Sequence, residues 1–505
     1  MDSGVLLAGL DVGTTNIKAL ICEPDGSVIA TASTPTPTHY LRSGWAHYDP
    51  DEIWSAVCGV LTDATGQLHT PARVDGIAVA SVGETGYPVD SAGNPTYKGI
   101  AWFDGRSKDQ AAWLAEHVGA EKVYATCRMS LQPIYGLCKL LWIRDNEPDV
   151  LARTATWLNS ADYVAFRLSG KKATDHSLAS RALLFDVDRR DWAYDLLDAC
   201  QLPDRILAPI KPSGEAIGNV TIEASSLTGL PTSTTVSTGG HDHVCGAFGV
   251  GVIDPGTVLN SLGTAEAHFL PITKPLNRPE VAAQGYSVGG HVARDKYYAI
   301  GGLYSSGGSV DWVSRLLGSL DHATMLDQAA QVPPGSGGVH FLPHLRIANP
   351  PFGDAPSRGA FVGLTGDVDQ ATLYRAVLEG IAMEAKLCLD GLLSYADIDI
   401  PERIVAIGGS TRNALLMSIK SAVYGKTITV SETEEGTALG AALLAGLGCG
   451  VYNNAQDVAR QVRHQTREIR PDPELVERYQ QVLVTYTNVY PALKELNARI
   501  DKQYR

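Results

Sequence analysis

The sequence predicts an α/β protein built from two related domains, and three observations carry that prediction. The chain has 505 residues, too many for one ordinary hydrophobic core. Along it, apolar runs of strand length alternate with longer helical patterns. There is also an internal echo: "GLDVGTTNIKALI" (9–21) and "GTVLNSLGTAEAHFL" (256–270) each lead an apolar strand into a Gly-Thr bend and out into another.

Residues 5–10 read as a buried strand and 17–22 as a second. Pro24-Asp25-Gly26 supplies a turn that sends 27–31 back against the second strand as a third. The opening is therefore a β-meander, not the strand–loop–helix of a P-loop, and no G-x-x-x-x-G-K-[ST] occurs in the chain. A helix is expected over 51–61 and a strand over 74–80, ending at "SVGETG". A polar loop follows, leading to "IAWFDGRS" (100–107). Helical patterns dominate 111–168, with Pro148 interrupting, and 235–250 reads as strand, glycine pair and small-residue helix.

The second half holds two clear helices. One covers 370–393, with Asp369 as its N-cap and Leu373, Val377, Ile381, Ala385 and Cys388 on one face. The other covers 413–424 and stops at Gly425. A final helical segment is expected over 474–499, outside the two hairpin-bearing units. The division expected is thus 1–250 for the first domain, 251–455 for the second, and 456–505 for a helical segment packed on both.

Composition narrows the function classes. With 44% apolar and 19% charged residues the chain is ordinary for a soluble globular protein, and no stretch approaches the ~20 apolar residues of a membrane helix. The start, Met1-Asp2-Ser3-Gly4, lacks the basic head and apolar run of a signal peptide, so a cytoplasmic protein is expected. Eight scattered cysteines without a Cys-x-x-Cys pair argue for buried thiols over zinc or disulfides. The net charge of −14 argues against nucleic acid, and it requires any anionic nucleotide to be held by local devices.

Those devices are sought first in Asp11-Val12-Gly13-Thr14-Thr15-Asn16. A glycine lets backbone approach a bulky anion, and threonine hydroxyls with main-chain N–H groups donate to phosphate oxygens. Lys18 shares a strand face with Asn16 and adds a cation. Asp11 would repel phosphate unless Mg2+ stood between them. Taken alone, the segment fits a polar hairpin tip as well as a phosphate loop. The second bend, Gly263-Thr264, adds a partner from the other half, and a third glycine site, Gly408-Gly409 to Asn413, ends a strand and opens a helix. Together the three favour an ATP cleft of actin-like or sugar-kinase-like type.

The ordered set is wider still: "GLDVGTTNIKALI", "AWFDGRS", "KLLWIRDNEP", "GGHDHVCGAFGVG", "NSLGTAEA", "SSGGSVDW", "RGAFVGL" with "AVLEGIA", and "IGGSTRNALL" with "EEGTALGAALLA". In order and spacing the chain resembles the FGGY family of carbohydrate kinases over nearly its whole length. The resemblance implies two ribonuclease-H-like (actin-like ATPase) domains with the active site in the cleft between them. It also implies transfer of the γ-phosphoryl of Mg-ATP to a hydroxyl of a small sugar or polyol. Three positions depart from the family pattern: Gly136 three residues before Lys139, Thr372 before Leu373, and Ala265 after Gly263-Thr264.

By the same resemblance Asp242, in "GGHDHV", is the catalytic base, Asp11 serves Mg2+ and phosphate, and Gly13, Thr14, Thr15 and Lys18 surround the phosphates. Gly263 and Thr264 take the opposite side, and Gly408, Gly409 and Asn413 the adenosine. Gly307 and Gly308 approach the nucleotide or serve packing, both readings standing. A carboxylate at the end of an apolar strand beside two glycines suits a base in a cleft, although an aspartate there also caps a following helix. His241 and His243 are read as its neighbours, not metal ligands.

The sugar pocket is expected mainly from the first domain, with Glu84, Trp102, Asp104 and Arg106 beside Asp242. Carboxylates facing adjacent hydroxyls and an aromatic wall suit a polyol, while Trp102 also fits a core position. At 82–86 the chain has Val-Gly-Glu-Thr-Gly. Xylulose kinases resemble one another in Gln-Met-His-Gly there, and glycerol kinases carry Arg-Glu-Thr, so Glu84-Thr85 matches the latter with Gly83 in place of arginine. "DVDRRDWAYDLL" and "SLGTAEA" lean toward the xylulose-kinase branch. A ketose is expected, D-xylulose first, with glycerol, other polyols and gluconate open. No nucleic acid or membrane is expected as partner, and a homodimer is the one assembly entertained. Non-sugar actin-like ATPases and an inactive sugar-binding protein are the readings of another class. Asp242 and "AWFDGRS" speak against the first, and the presence of Asp242 against the second.

Overall fold

The computed structural model describes residues 4–68, 74–318, 321–346, 348, 350–398 and 400–504. The reading of Met1, Asp2 and Ser3 lies outside these, as does Arg505 at the end of the last segment.

The opening meander forms as the apolar alternation requires. Strands Leu6–Val12 and Asn16–Cys22 pair antiparallel with Asp11 opposite Lys18, and Val28–Pro35 pairs antiparallel with the second. Alternate residues of the first strand face opposite layers. Ala8 and Leu10 pack toward the helix Pro50–Thr65, while Leu7 joins the core on the other face. That helix starts where Asp49 accepts from the N–H groups of Asp51 and Glu52, with Pro50 in its first turn. Val74–Ser81 lies parallel to Leu6–Val12, and Thr235–His241 lies parallel to Val74–Ser81. Ala216–Asn219 closes the edge antiparallel, so six strands make the sheet.

The second half repeats this order. Thr257–Leu262 and Glu266–Ile272 form the second Gly-Thr hairpin, and Tyr297–Leu303 continues it antiparallel. Arg403–Ile407 and Ile428–Ser431 are then added in parallel, and Ser287–Gly290 and Thr466–Ile469 close the edges of a seven-stranded sheet. Each half is thus an antiparallel hairpin extended by parallel strands, the two-domain α/β architecture expected.

Two small-residue helices join the halves. Asp242–Gly249 follows directly from the strand Thr235–His241. Gly436–Gly448 comes from the second half yet packs on the strands Leu6–Val12, Val74–Ser81 and Thr235–His241 of the first. The two helices lie against each other so closely that a Cβ on Gly440 would stand 1.9 Å from the carbonyl oxygen of Cys245.

The helix Gln370–Tyr395 begins at Asp369, whose carboxylate accepts from Thr372 N–H, and it buries Val377, Ile381, Ala385 and Cys388, with Leu373 half-buried. Ala414–Tyr424 is capped by Asn413 and stops at Gly425 in the left-handed region, φ 62°. Two elements differ from expectation. Within 111–168 the strand Thr156–Asn159 interrupts the helices to pair with Gly86–Val89, and Pro148 opens the helix Pro148–Arg153 instead of only breaking one. The final segment forms two helices, Pro473–Tyr486 and Val489–Tyr504, and its strand Thr466–Ile469 belongs to the second sheet. All eight cysteines are free, and among the described residues no helix is long and apolar enough to cross a membrane.

Candidate active site

The strand Thr235–His241 delivers Asp242 to the first position of the helix Asp242–Gly249. Asp242 is not the cap: its Oδ1 accepts from the N–H of its neighbour His243 at 2.6 Å and stands 3.1 Å from His241 Nε2. Burial holds the His241 ring down to a pKa of about 3, against the opposing pull of Asp242, so the ring is neutral. The one hydrogen bond on this carboxylate within the described protein is that of His243 N–H to Oδ1, and none occupies Oδ2. The strand end is anchored from behind. His241 N–H donates to Ser177 Oγ at 2.8 Å, and Ser177 Oγ donates to Asp175 Oδ2 at 2.7 Å.

Beside this strand end lies a cavity of about 280 Å³, walled from both halves of the chain. Trp102, Tyr135, Arg181, His241 and His243 come from the first, and residues such as Tyr298 and Tyr304 from the second. The expectation of a pocket mainly from the first domain therefore understates the second. Trp102 is half-buried, and its Nε1–H donates to Thr14 Oγ1 at 2.8 Å, which ties the cavity wall to the first Gly-Thr bend.

Glu84 stands behind the wall. Its Oε1 accepts from Arg181 Nε at 2.6 Å and also from Nη2, while its carbonyl oxygen accepts from Lys139 Nζ at 2.8 Å. Lys139 is fully buried, and burial brings its ammonium down to a pKa of about 7 despite Glu84 and Asp104 nearby. Arg181, at the end of the helix His176–Arg181, lies directly over Gly83: a Cβ there would stand 2.6 Å from Arg181 Cγ. An arginine thus occupies the place beside Glu84 that position 83 leaves empty.

Asp104 and Arg106 do not reach the cavity. Arg106 Nε and Nη2 donate to the two oxygens of Asp104 at 2.9 and 2.8 Å, Ala46 N–H adds a third bond at 2.5 Å, and both side chains are buried. The guanidinium lies against the rings of Trp45 and Trp142, 4.2 and 5.1 Å from their centroids. The pair braces the loop that carries Trp102.

The first bend is closed by Gly13 N–H on Asn16 C=O at 3.1 Å and by Thr36 Oγ1 on Gly13 C=O at 2.7 Å, which leaves Thr14 half-buried and Thr15 exposed at the tip. Asp11 Oδ1 is buried and has no hydrogen-bond partner. Burial first, and Asp242 second, push the Asp11 carboxyl up to about 8, with Lys18 opposing. Lys18 itself pairs with Glu435 at 2.7 Å, at the start of the helix Gly436–Gly448.

On the other side, a cavity of about 450 Å³ is lined by Gly263, Thr264, Gly307, Gly409 and Asn413, so the structure brings these five expected residues together. Gly307 and Gly308 N–H groups donate to the carbonyls of Gly263 and Thr264 at 3.1 and 3.0 Å, fastening the helix Gly307–Leu316 to the second bend. Gly408, at φ 99°, packs so near Leu262 that a Cβ would stand 2.3 Å from its carbonyl oxygen, while Gly409 faces open space. Asn413 Oδ1 accepts from Leu416 N–H, so its side chain is a helix cap at the cavity wall. Among the described residues no group of three or more His, Cys, Asp or Glu side chains stands where it could hold a metal ion.

Two bends in paired domains, a carboxylate at a strand end and a walled cavity between them define a phosphotransferase site, and comparison with known proteins gives its family. Models of the N-terminal and C-terminal domains of the FGGY family of carbohydrate kinases match residues 6–249 and 258–449. The chain belongs to that family: it is an ATP-using carbohydrate kinase that phosphorylates an alcohol group of a small sugar-like molecule. It is 26% identical over 499 residues to a xylulose kinase of Bacillus subtilis, covering 98% of this chain and 99% of that one. To a glycerol kinase of Gloeobacter violaceus it is 32% identical over 467 residues, 90% of each chain. The crystal structure of xylulose kinase from Rhodospirillum rubrum superposes with a TM-score of 0.89 at 29% identity, covering 98% of this chain and all of that one.

Arg181, Tyr135 and Tyr298 were beyond sequence reading. Arg181 sits in a short helical stretch with no motif around it, and the one hint is the glycine at position 83 that makes room for it.

Proposed function

We propose that the protein is a cytoplasmic, Mg-ATP-dependent kinase of a small ketose, D-xylulose or a related pentulose or hexulose, with Asp242 as general base. Glycerol, another polyol or gluconate is the alternative within the family. Residues 1–250 and 251–455 are its two lobes, 456–505 its appended segment, and no nucleic acid, membrane or partner beyond a second copy of the chain is required.

The observation that carries the reading is Asp242 between His241 and His243, which both line the cavity, with Oδ1 held by the His243 N–H and Oδ2 unoccupied among the described residues. In the reaction the acceptor hydroxyl oxygen forms a bond to the γ-phosphorus as the bond to the β–γ bridging oxygen breaks. The hydroxyl proton passes to Asp242 Oδ2, and ADP leaves. The hydrogen bond of His243 N–H on Oδ1 keeps that carboxylate oriented throughout. Thr14 and Thr15 on one side and Thr264 on the other present donors to the phosphates, Gly13 and Gly263 let the two bends approach them closely, and Gly409 and Asn413 stand beside the adenosine. Asp11 Oδ1, a buried acceptor lacking a partner, fits Mg2+, which when bound supplies positive charge against the phosphate oxygens. Lys18, held by Glu435, stands next to this position.

The ketose is favoured over glycerol because the relatives that span the chain almost end to end include xylulose kinases and because position 83 lacks the arginine of glycerol kinases. The test is an ADP-release assay with Mg-ATP over ketoses, polyols and sugar acids. D-xylulose or a close ketose is expected to give the highest kcat/KM. A glycerol value above every ketose would move the assignment to the alternative, and no release with any compound would overturn the kinase reading.

A further inference from the structure

Arg181 is the one lysine or arginine among the described residues lining the cavity beside Asp242. Its charge is already answered: Nε and Nη2 both bond to Glu84 Oε1, with the two side chains only 14% and 6% exposed. The other cations of the neighbourhood are engaged elsewhere. Lys139 donates to the Glu84 carbonyl, Arg106 is closed on Asp104, and Lys18 is paired with Glu435. His241, at the cavity wall, is buried and uncharged. Against these stand the carboxylates of Asp242 and Asp11 at the reacting end. The cavity therefore holds no uncompensated positive charge.

A substrate carboxylate brought into such a cavity loses its water and gains no free cation, and it also faces Asp242. Burying an unpaired charge is among the costliest changes a site can impose. Hydroxyl and carbonyl oxygens meet no such penalty. They find donors on Arg181, whose neutralised guanidinium still presents N–H groups, and on the tyrosines of the wall. The absence of a side chain at position 83 is part of the arrangement, since a Cβ there would also stand 2.7 Å from His241 Cδ2 and would force Arg181 off Glu84.

We infer that the Arg181–Glu84 pair is the specificity element of the site, selecting neutral polyhydroxy acceptors and rejecting sugar acids. The inference rests on the kinase reading of this cavity and narrows it by removing gluconate-like substrates. Arg181 is the contacting donor, and Glu84 sets its charge.

The experiment compares kcat/KM for D-xylulose with D-xylonate, and for glycerol with D-glycerate, by ADP release from the full-length enzyme. The wild type is expected to favour the neutral member of the pair it uses by about a hundredfold or more. Glu84→Gln, which leaves the guanidinium uncompensated, is expected to narrow that preference by at least about tenfold, through a lower KM for the acid. Comparable use of acid and neutral compound by the wild type, or an unchanged preference in Glu84→Gln, overturns the inference while leaving the kinase reading intact. Should Glu84→Gln not fold, the double variant Glu84→Gln with Arg181→Gln removes both charges together. It is expected to raise KM for the neutral acceptor about tenfold while still rejecting the acid. A wild-type KM in the double variant overturns the inference. Failure of every compound to release ADP overturns the kinase reading and this inference with it.

Discussion

His291 shows how single side chains in this molecule are fixed in charge by burial. Its Nδ1 accepts from Ala293 N–H at 2.8 Å, its Nε2 has no partner, and burial, aided by Lys296, holds its pKa down to about 3. The unfolded chain takes up this proton near pH 6.5 and the folded one far lower. Stability therefore rises with pH through that window, is complete above 6.5, and is lost as the solution is acidified. Asparagine offers the same acceptor without titrating, so His291→Asn is expected to abolish this contribution. In chemical denaturation at pH 7 and pH 5, the wild type should lose about 2 kcal/mol more than the variant. Equal losses would refute a neutral, buried His291. The same scale separates what could be read in the sequence from what could not. The place of Asp242 at a strand end was legible because an apolar run and two glycines lead into it. Arg181 was not, because its importance comes from a contact across 97 residues of chain. Asp104 and Arg106 carry the right chemistry for a sugar, yet two residues apart in one loop they satisfy each other.

At the scale of elements, the two Gly-Thr hairpins were legible because an apolar–bend–apolar pattern leaves little else to form. The strand Thr156–Asn159 was hidden among helical patterns because its only reason to be extended is its pairing with Gly86–Val89. The origin of the helix Gly436–Gly448 was equally unreadable: its glycines and alanines signal close packing but not which sheet receives it. That packing leads to a contrast between two glycines. Gly440→Ala would press a methyl into the Cys245 carbonyl and push apart the helices Gly436–Gly448 and Asp242–Gly249. A loss of about 1–3 kcal/mol is expected, together with a lower kcat, because Asp242 opens the displaced helix. Gly59, in the helix Pro50–Thr65, has no atom near its would-be Cβ, so Gly59→Ala should stabilise by about 0.5–1 kcal/mol with kcat unchanged. Thermal unfolding and steady-state turnover of the two variants check both halves of the contrast.

The whole molecule is two sheets of like order joined by paired small-residue helices. Asp11 lies in one, and Asp242 directly follows the other, of the two strands that flank Val74–Ser81 in the first sheet. Glu435 ties Lys18 to the second half. In the proposed reaction two duties are separate, holding the donor's phosphates and taking the acceptor's proton. The most direct measurement of that division is ADP release with Mg-ATP and D-xylulose by wild type and Asp242→Asn, each with its KM for both substrates. Asparagine keeps the size and the hydrogen bonds to oxygen but accepts no proton. The account predicts that kcat falls by about 10²–10⁴ while both KM values stay within about threefold of wild type. Near-wild-type turnover by Asp242→Asn would contradict it.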